Sequence, residues 1–193
     1  MNNQNTRKII ILIAALVVIV VVLFVIFYGN GKAKVSLGVS SDKQSYTLSD
    51  EIKLTVSLTN AGDSNTCLSN TALGNIKFLS ATRDGNPIET RTAPSYFLTS
   101  LSEMIKSKLK PLVPGEKMEI ALSSSEDPGL GARALSTVAV EGTAGMATFY
   151  NIKLPGTYKI DVAYEYTGGF SADCSNIFKG ATNITTVSFI VTK

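Results

Sequence analysis

From Ile9 to Tyr28 the chain runs for 20 residues without a charge, an amide, a glycine or a proline. Few folds accept such a run. At a helical rise of ~1.5 Å per residue it spans roughly 30 Å, the thickness of a bilayer's hydrocarbon core. Lipid offers no partner to a backbone N–H or C=O, and a continuous helix satisfies these groups within itself. Val and Ile are mediocre helix formers in water, but in lipid desolvation outweighs propensity. The expected organisation is a cytoplasmic tail (1–8), a transmembrane helix (9–28), a linker (29–33) and a folded domain (34–193).

The run is longer than the ~7–15-residue core of a cleaved signal, and Phe24, Phe27 and Tyr28 stand where small residues would be needed for cleavage. Gly31 and Ala33 leave one weak cleavage option before Lys34. No Cys near the end of the run could take a lipid, and Lys8 stands where a pilin-like precursor carries Gly. Arg7 and Lys8, with no acid before the run, favour a cytoplasmic N-terminus. Lys32, Lys34 and Lys43 on the other side nearly balance them. Two cysteines, many uncharged Ser, Thr and Asn residues, and β patterning tip the expectation towards an extracytoplasmic C-terminal domain, with the protein single-pass.

Of the 18 Lys and Arg, the 16 beyond the run face all 15 Asp and Glu, so the domain is nearly neutral. No basic cluster with interleaved aromatics exists, and nucleic acid is not an expected partner. No repeat of 20–50 residues points to a solenoid or propeller. The chain has no His. That removes Ser-His-Asp and Cys-His catalysis together with the usual zinc and copper ligand sets.

Short alternating segments between turn signals follow the run, the pattern of an all-β sandwich. Lys34–Ser40 alternates through Val35, Leu37 and Val39. Glu51–Asn60 places Ile52, Leu54, Val56 and Leu58 on one face and Lys53, Thr55, Ser57 and Thr59 on the other. Ile76 and Phe78 lead to Asp84-Gly85-Asn86-Pro87, a turn into Ile88. Met118, Ile120 and Leu122 alternate before the break at Asp127-Pro128-Gly129. Further strands are expected over Ser136–Val140, Ala147–Leu154, Tyr158–Tyr166 and Ile184–Val191.

One segment has helical spacing instead: Leu98, Leu101, Ile105 and Leu109, with Phe97 and Met104 beside them. Ser100 and Glu103 have capping-box spacing and Pro111 marks the end. A short inserted helix capping the sandwich is expected. The alternative has Lys106, Lys108 and Lys110 touching anionic headgroups or a partner.

The stretch from Asp42 through Tyr46, Asp50 and Ile52 to Asn60 resembles the opening two strands of bacterial and archaeal Ig-like domains. Macroglobulin-type and intracellular-proteinase-inhibitor-type modules are among them. The shared theme is an aromatic, a turn with an acid, then an alternating strand ending in Asn. The resemblance covers about twenty residues. It implies an Ig-like β-sandwich and, as function, adhesion, scaffolding or inhibition; no functional residue carries over. In such a sandwich the connections holding Cys67 (61–74) and Cys174 (167–181) emerge at the same end. A disulfide between them is then stereochemically accessible, with two free thiols as the rival reading. No C-x-x-C redox pair is present.

Other chemistry is weakly signalled. Ser107-Lys108-Leu109-Lys110 fits S-x-x-K, without the companion motifs of penicillin-binding enzymes or the nucleophile motif of Ser-Lys membrane peptidases. Asp63-Ser64-Asn65, Asp84-Gly85-Asn86 and Glu126-Asp127 offer loop oxygens to Ca²⁺, without EF-hand spacing. Asn183-Ile184-Thr185 is a glycosylation sequon. No catalytic, cofactor or metal residue is expected. The functional expectation is a membrane-anchored extracytoplasmic module at the cell surface that binds or scaffolds an unidentified protein, held to the bilayer through residues 9–28. The alternatives are an accessory subunit of a larger membrane complex or surface filament and, third, a membrane-bound hydrolase.

Overall fold

The computed structural model describes residues 34–95, 100–127, 129, 131–141 and 144–193. The apolar run at 9–28 and its flanks at 1–8 and 29–33 lie outside these. Among the described residues no helix is long and apolar enough to cross a membrane.

The domain is mainly β. Its strands are β1 (Val35–Ser41), β2 (Ser45–Thr47), β3 (Lys53–Asn60), β4 (Thr66–Ser69), β5 (Ile76–Arg83), β6 (Asn86–Pro87) and β7 (Thr90–Ser95). A short helix, α1 (Leu101–Ser107), precedes β8 (Leu109–Leu112), β9 (Lys117–Ser123), β10 (Ser125–Asp127), β11 (Ala132–Glu141), β12 (Ala144–Asn151), β13 (Gly156–Tyr164) and β14 (Thr185–Thr192). Two sheets form the body: β1-β3-β9, all antiparallel, and β2-β14-β13-β5-β6, in which β2 runs parallel to β14. A third sheet, β10-β11-β12-β7, is assembled from strands inserted on either side of β9, and β4 pairs with β8.

The period-2 pattern makes the body. In β3, Leu54, Val56 and Leu58 are inward and essentially solvent-free. They meet Ile160, Val162, Val187 and Phe189 from the facing sheet in one core. Tyr46 packs edge-on and Tyr158 flat against Phe189, each with centroids 5.6 Å apart. The Tyr158 hydroxyl donates to the Leu154 carbonyl at 2.7 Å, closing the corner that leads into β13. Buried Asn60 ends β3 by donating through Nδ2 to Ser64 and Leu112 carbonyls and accepting from Gly62 N–H.

The Asp84-Gly85 turn joins β5 to β6 with both residues at positive φ, +50° and +83°, the two-residue hairpin geometry the sequence signals. A register shift where β5 meets β13 adds one residue at Leu79. Strict alternation would turn Ser80 inward after Ile76 and Phe78. The bulge leaves Leu79 and Ser80 exposed and returns Ala81 to the core.

Several expectations need correction. The helix is seven residues long, ending at Ser107. Leu109 belongs to β8, whose partner β4 offers a ladder that one more helical turn would forfeit. The Ser100 side chain makes no capping bond, and Glu103 pairs with Lys106 instead. Leu98 and Phe97 lie outside the described residues. The strand expected at Ala147–Leu154 runs Ala144–Asn151, and that expected to reach Tyr166 stops at Tyr164. Cys67, placed by sequence in a polar connection, is a buried strand residue.

Candidate functional site at the bridged end

Strand polarity gathers the long connections at one end. β1 begins opposite the end of β3, Val35 facing Asn60, and Ala61 N–H donates to the Lys34 carbonyl at 2.7 Å. The connection after β3 and the one between β13 and β14 meet there. Cys67 and Cys174 are joined across them, with Cα atoms 6.4 Å apart and a sequence separation of 107. Backbone bonds reinforce the bridge: Cys67 N–H donates to Asn176 and Phe178 N–H to Cys67. In the chain-entropy model a closed loop of this length is worth about 4.7 kcal/mol, chiefly by restricting the unfolded chain.

Helix α1 closes the same end. Leu101 and Ile105 are fully buried against Val138 and Ala147 of the third sheet, forming a second, smaller core. Ser69 Oγ donates to the Ile105 carbonyl at 2.8 Å. Two glycines make room for Ile105. Gly74, at φ +77°, would drive a Cβ into its Cδ1, and a Cβ on Gly168 would come within 2.8 Å of its Cγ2. The apolar stripe expected on this helix is therefore turned to the protein at its two described anchors. Lys108 and Lys110 face solvent, while Lys106 is half-buried beside Glu103.

Beside the bridge lies a cavity of about 400 Å³ lined by Tyr166, Thr167, Phe170, Cys174, Ile177 and Lys179. Tyr166 Oη is buried and has no hydrogen-bond partner among the described residues. Burial, and then the nearby Glu103 carboxylate, raise its pKa. Phe170 stands 80% exposed at the rim. Sequence reasoning missed both residues. An available signal was an aromatic inside Thr167-Gly168-Gly169-Phe170-Ser171, outside any alternating pattern.

A smaller cavity of about 170 Å³ sits at the opposite end, among Arg83, Ile88, Glu89, Asn151, Lys153 and Tyr158. Glu89 accepts from Lys153 at 2.6 Å, which lowers its pKa, and Asn151 Oδ1 is buried without a partner among the described residues.

The other signalled residues have local tasks. Ser107 Oγ donates to the Met104 carbonyl at the helix end while Lys110 lies in β8, so the S-x-x-K spacing is not one helical turn. Asp84 Oδ1 accepts from Thr157 N–H at 2.8 Å, ordinary turn chemistry. Asp127 is solvent-free and bound by the Arg91 guanidinium, which holds its carboxyl below the usual range. Among the described residues no cluster of three or more Cys, Asp or Glu is placed to hold a metal.

Asn183 is exposed, but its side chain ties β14 to β1. Its Oδ1 accepts from Leu37 N–H at 3.1 Å, and its Nδ2 donates to Thr185 Oγ1, which in turn donates to the Leu37 carbonyl. Comparison with protein-family models gives no match for this chain, and comparison with curated proteins gives no relative.

Proposed function

We propose that this chain is a single-pass membrane protein displaying an Ig-like β-sandwich outside the membrane, where it binds or scaffolds another protein without enzymatic activity. The observation that carries the reading is the Cys67–Cys174 bridge, set in a domain that follows a bilayer-length apolar run. Disulfides of this kind persist in oxidising compartments and are rare in the cytosol. The strand connectivity supports the Ig-like assignment. β1-β3-β9 faces β14-β13-β5, β2 adds parallel to β14, and Tyr158 bonds back four residues at the corner before β13.

Presentation is the mechanism. The anchor fixes the domain at a surface and raises its effective concentration against partners there. Binding would fall to loops held by the rigid body, the bridged end foremost. The nearly neutral charge supports a partner recognised by shape and apolar contact rather than by charge. An accessory subunit of a larger membrane complex is the second reading. The anchor's only small-residue pair, Ala14-Ala15, gives little support to tight helix packing.

Crosslinking in native membranes followed by mass spectrometry tests the proposal. Crosslinks from residues 61–75 or 165–184 to one recurrent protein support it. Crosslinks confined to residues 9–28 favour the subunit reading, and a partner found only among cytosolic proteins overturns both.

A further inference from the structure

Of the exposed large apolar side chains, Leu79 and Ile190 lie along strands and Leu48 and Leu154 at the opposite end, but the two most exposed share the bridged end. Phe170 is 80% and Ile184 60% exposed, and Val113, at 51%, joins them. Topology places all three where the chain enters the domain. Val113 opens the β8–β9 turn, whose Gly115 N–H donates to the Asn60 carbonyl. Ile184 follows Asn183, which binds Leu37 in β1. Phe170 sits in the connection that the disulfide holds.

Lys34 is at this end, six residues after Tyr28 closes the apolar run. Six residues span about 20 Å at most, even fully extended. We propose that this end of the domain rests on the bilayer surface, with Phe170, Ile184 and Val113 seated at the boundary between headgroups and acyl chains. The inference rests on the reading that residues 9–28 cross the membrane.

Charge contributes little to this contact. Exposed Lys34, Lys108, Lys110 and Lys179 are nearly offset by Asp63, Asp173 and Glu116. Docking is therefore apolar, indifferent to salt, and as good on zwitterionic as on anionic lipid. An aromatic beside glycine suits such a boundary, since the neighbouring Ser171 is already buried with its Oγ accepting from Asp173 N–H and need not be desolvated further.

The chain contains no Trp, so Phe170→Trp creates a sole indole reporter. The full chain is reconstituted into phosphatidylcholine vesicles whose acyl chains carry bromine. The expected result is blue-shifted emission, largely quenched by the brominated lipid and unchanged in high salt. Leu154→Trp, at the opposite end, should remain unquenched, and Ile184→Trp is the second reporter should Phe170→Trp misfold.

An unquenched indole at position 170 in chains that float with the vesicles overturns the docking and leaves the anchor reading intact. Chains that fail to float at all overturn the anchor reading, and the docking with it. Quenching of both ends alike shows that the contact is not specific to this end and overturns the proposal. So does blue-shifted, unquenched emission that grows with protein density, which marks a second copy as the occupant.

Discussion

The body and the inserted lobe are built from the same backbone ladder, yet they hold themselves together differently. In the body, two sheets bury alternate residues of β3, β13 and β14 against each other. The lobe, formed by β7, α1 and β10–β12, has a small core around Leu101, Ile105, Val138 and Ala147. β7 has no buried residue at all. What the lobe lacks in apolar burial it recovers by side-chain clasps. Arg91 lies over the Phe149 ring, 4.6 Å from its centroid, and reaches Asp127 in β10, joining the two outer strands of the four-stranded sheet. The lobe is tied to the body through Leu135 of β11, which lies in the main core, and Tyr150 Oη, which donates to the Phe78 carbonyl at 3.2 Å, and its smaller own core leads us to expect lower local stability there.

Loss of the bridge should have the largest effect on the whole. Cys67→Ser is expected to lower unfolding free energy by about 2–5 kcal/mol, the usual loss for a native disulfide. Denaturant titration measures this, and a wild-type midpoint in the variant would show the bridge to be idle.

Two core truncations then separate body from lobe. Ile160→Ala should cost about 2–5 kcal/mol and raise amide exchange everywhere at once. Ile105→Ala should fall at the lower end of that range and raise exchange in α1, β11 and β12 while β13 and β14 stay protected. Uniform deprotection by both variants would dissolve the distinction and make the domain one cooperative unit.

Acid should reach the lobe through Asp127. Its carboxyl is lowered by the Arg91 hydrogen bond, so its folded pKa lies below its unfolded value near 4. The stability it contributes is complete above the unfolded value and is lost as pH falls through the folded one. Amide exchange in β10 and β7 should therefore rise below about pH 4 in the wild type. Asp127→Asn should already show the raised rate at neutral pH. A pH-independent lobe would remove the clasp from the account.

The smallest effect is expected for Lys106→Glu combined with Lys110→Glu. Lys110 is exposed and the half-buried Lys106 loses only an i,i+3 pair with the exposed Glu103, so the loss should stay near about 1 kcal/mol and the melting temperature should move little. A large loss would mean that α1 depends on its lysines rather than on Leu101 and Ile105.

The same contrast explains what could be read from residues alone. Strands β3 and β14 bury one face, and β13 does so until Val162–Tyr164 are buried in succession, so period 2 announced all three. β7 alternates only between half-exposed and exposed positions, so Thr90–Ser95 carried no hydrophobic signal. β4 and β8 are four residues each, too short for periodicity to show, and their pairing depends on a long-range partner. That long-range ladder ended the helix before Leu109. The cysteines were legible once the two connections were placed at one end. Phe170 was not, because nothing in a local pattern says whether an aromatic in a glycine-rich connection folds inward or stays at a rim, and Tyr166 was read as the end of a strand that stops at Tyr164.

The central claim is a bridged domain displayed outside the membrane, and one labelling experiment reaches it. Intact cells carrying the full chain are treated with a membrane-impermeant maleimide, before and after a membrane-impermeant reductant. The expected result is no label before reduction and, afterwards and without lysis, label on half-buried Cys174, with buried Cys67 labelled only once the domain is also unfolded. Label before reduction, or label obtained only once the cells are broken, would contradict it.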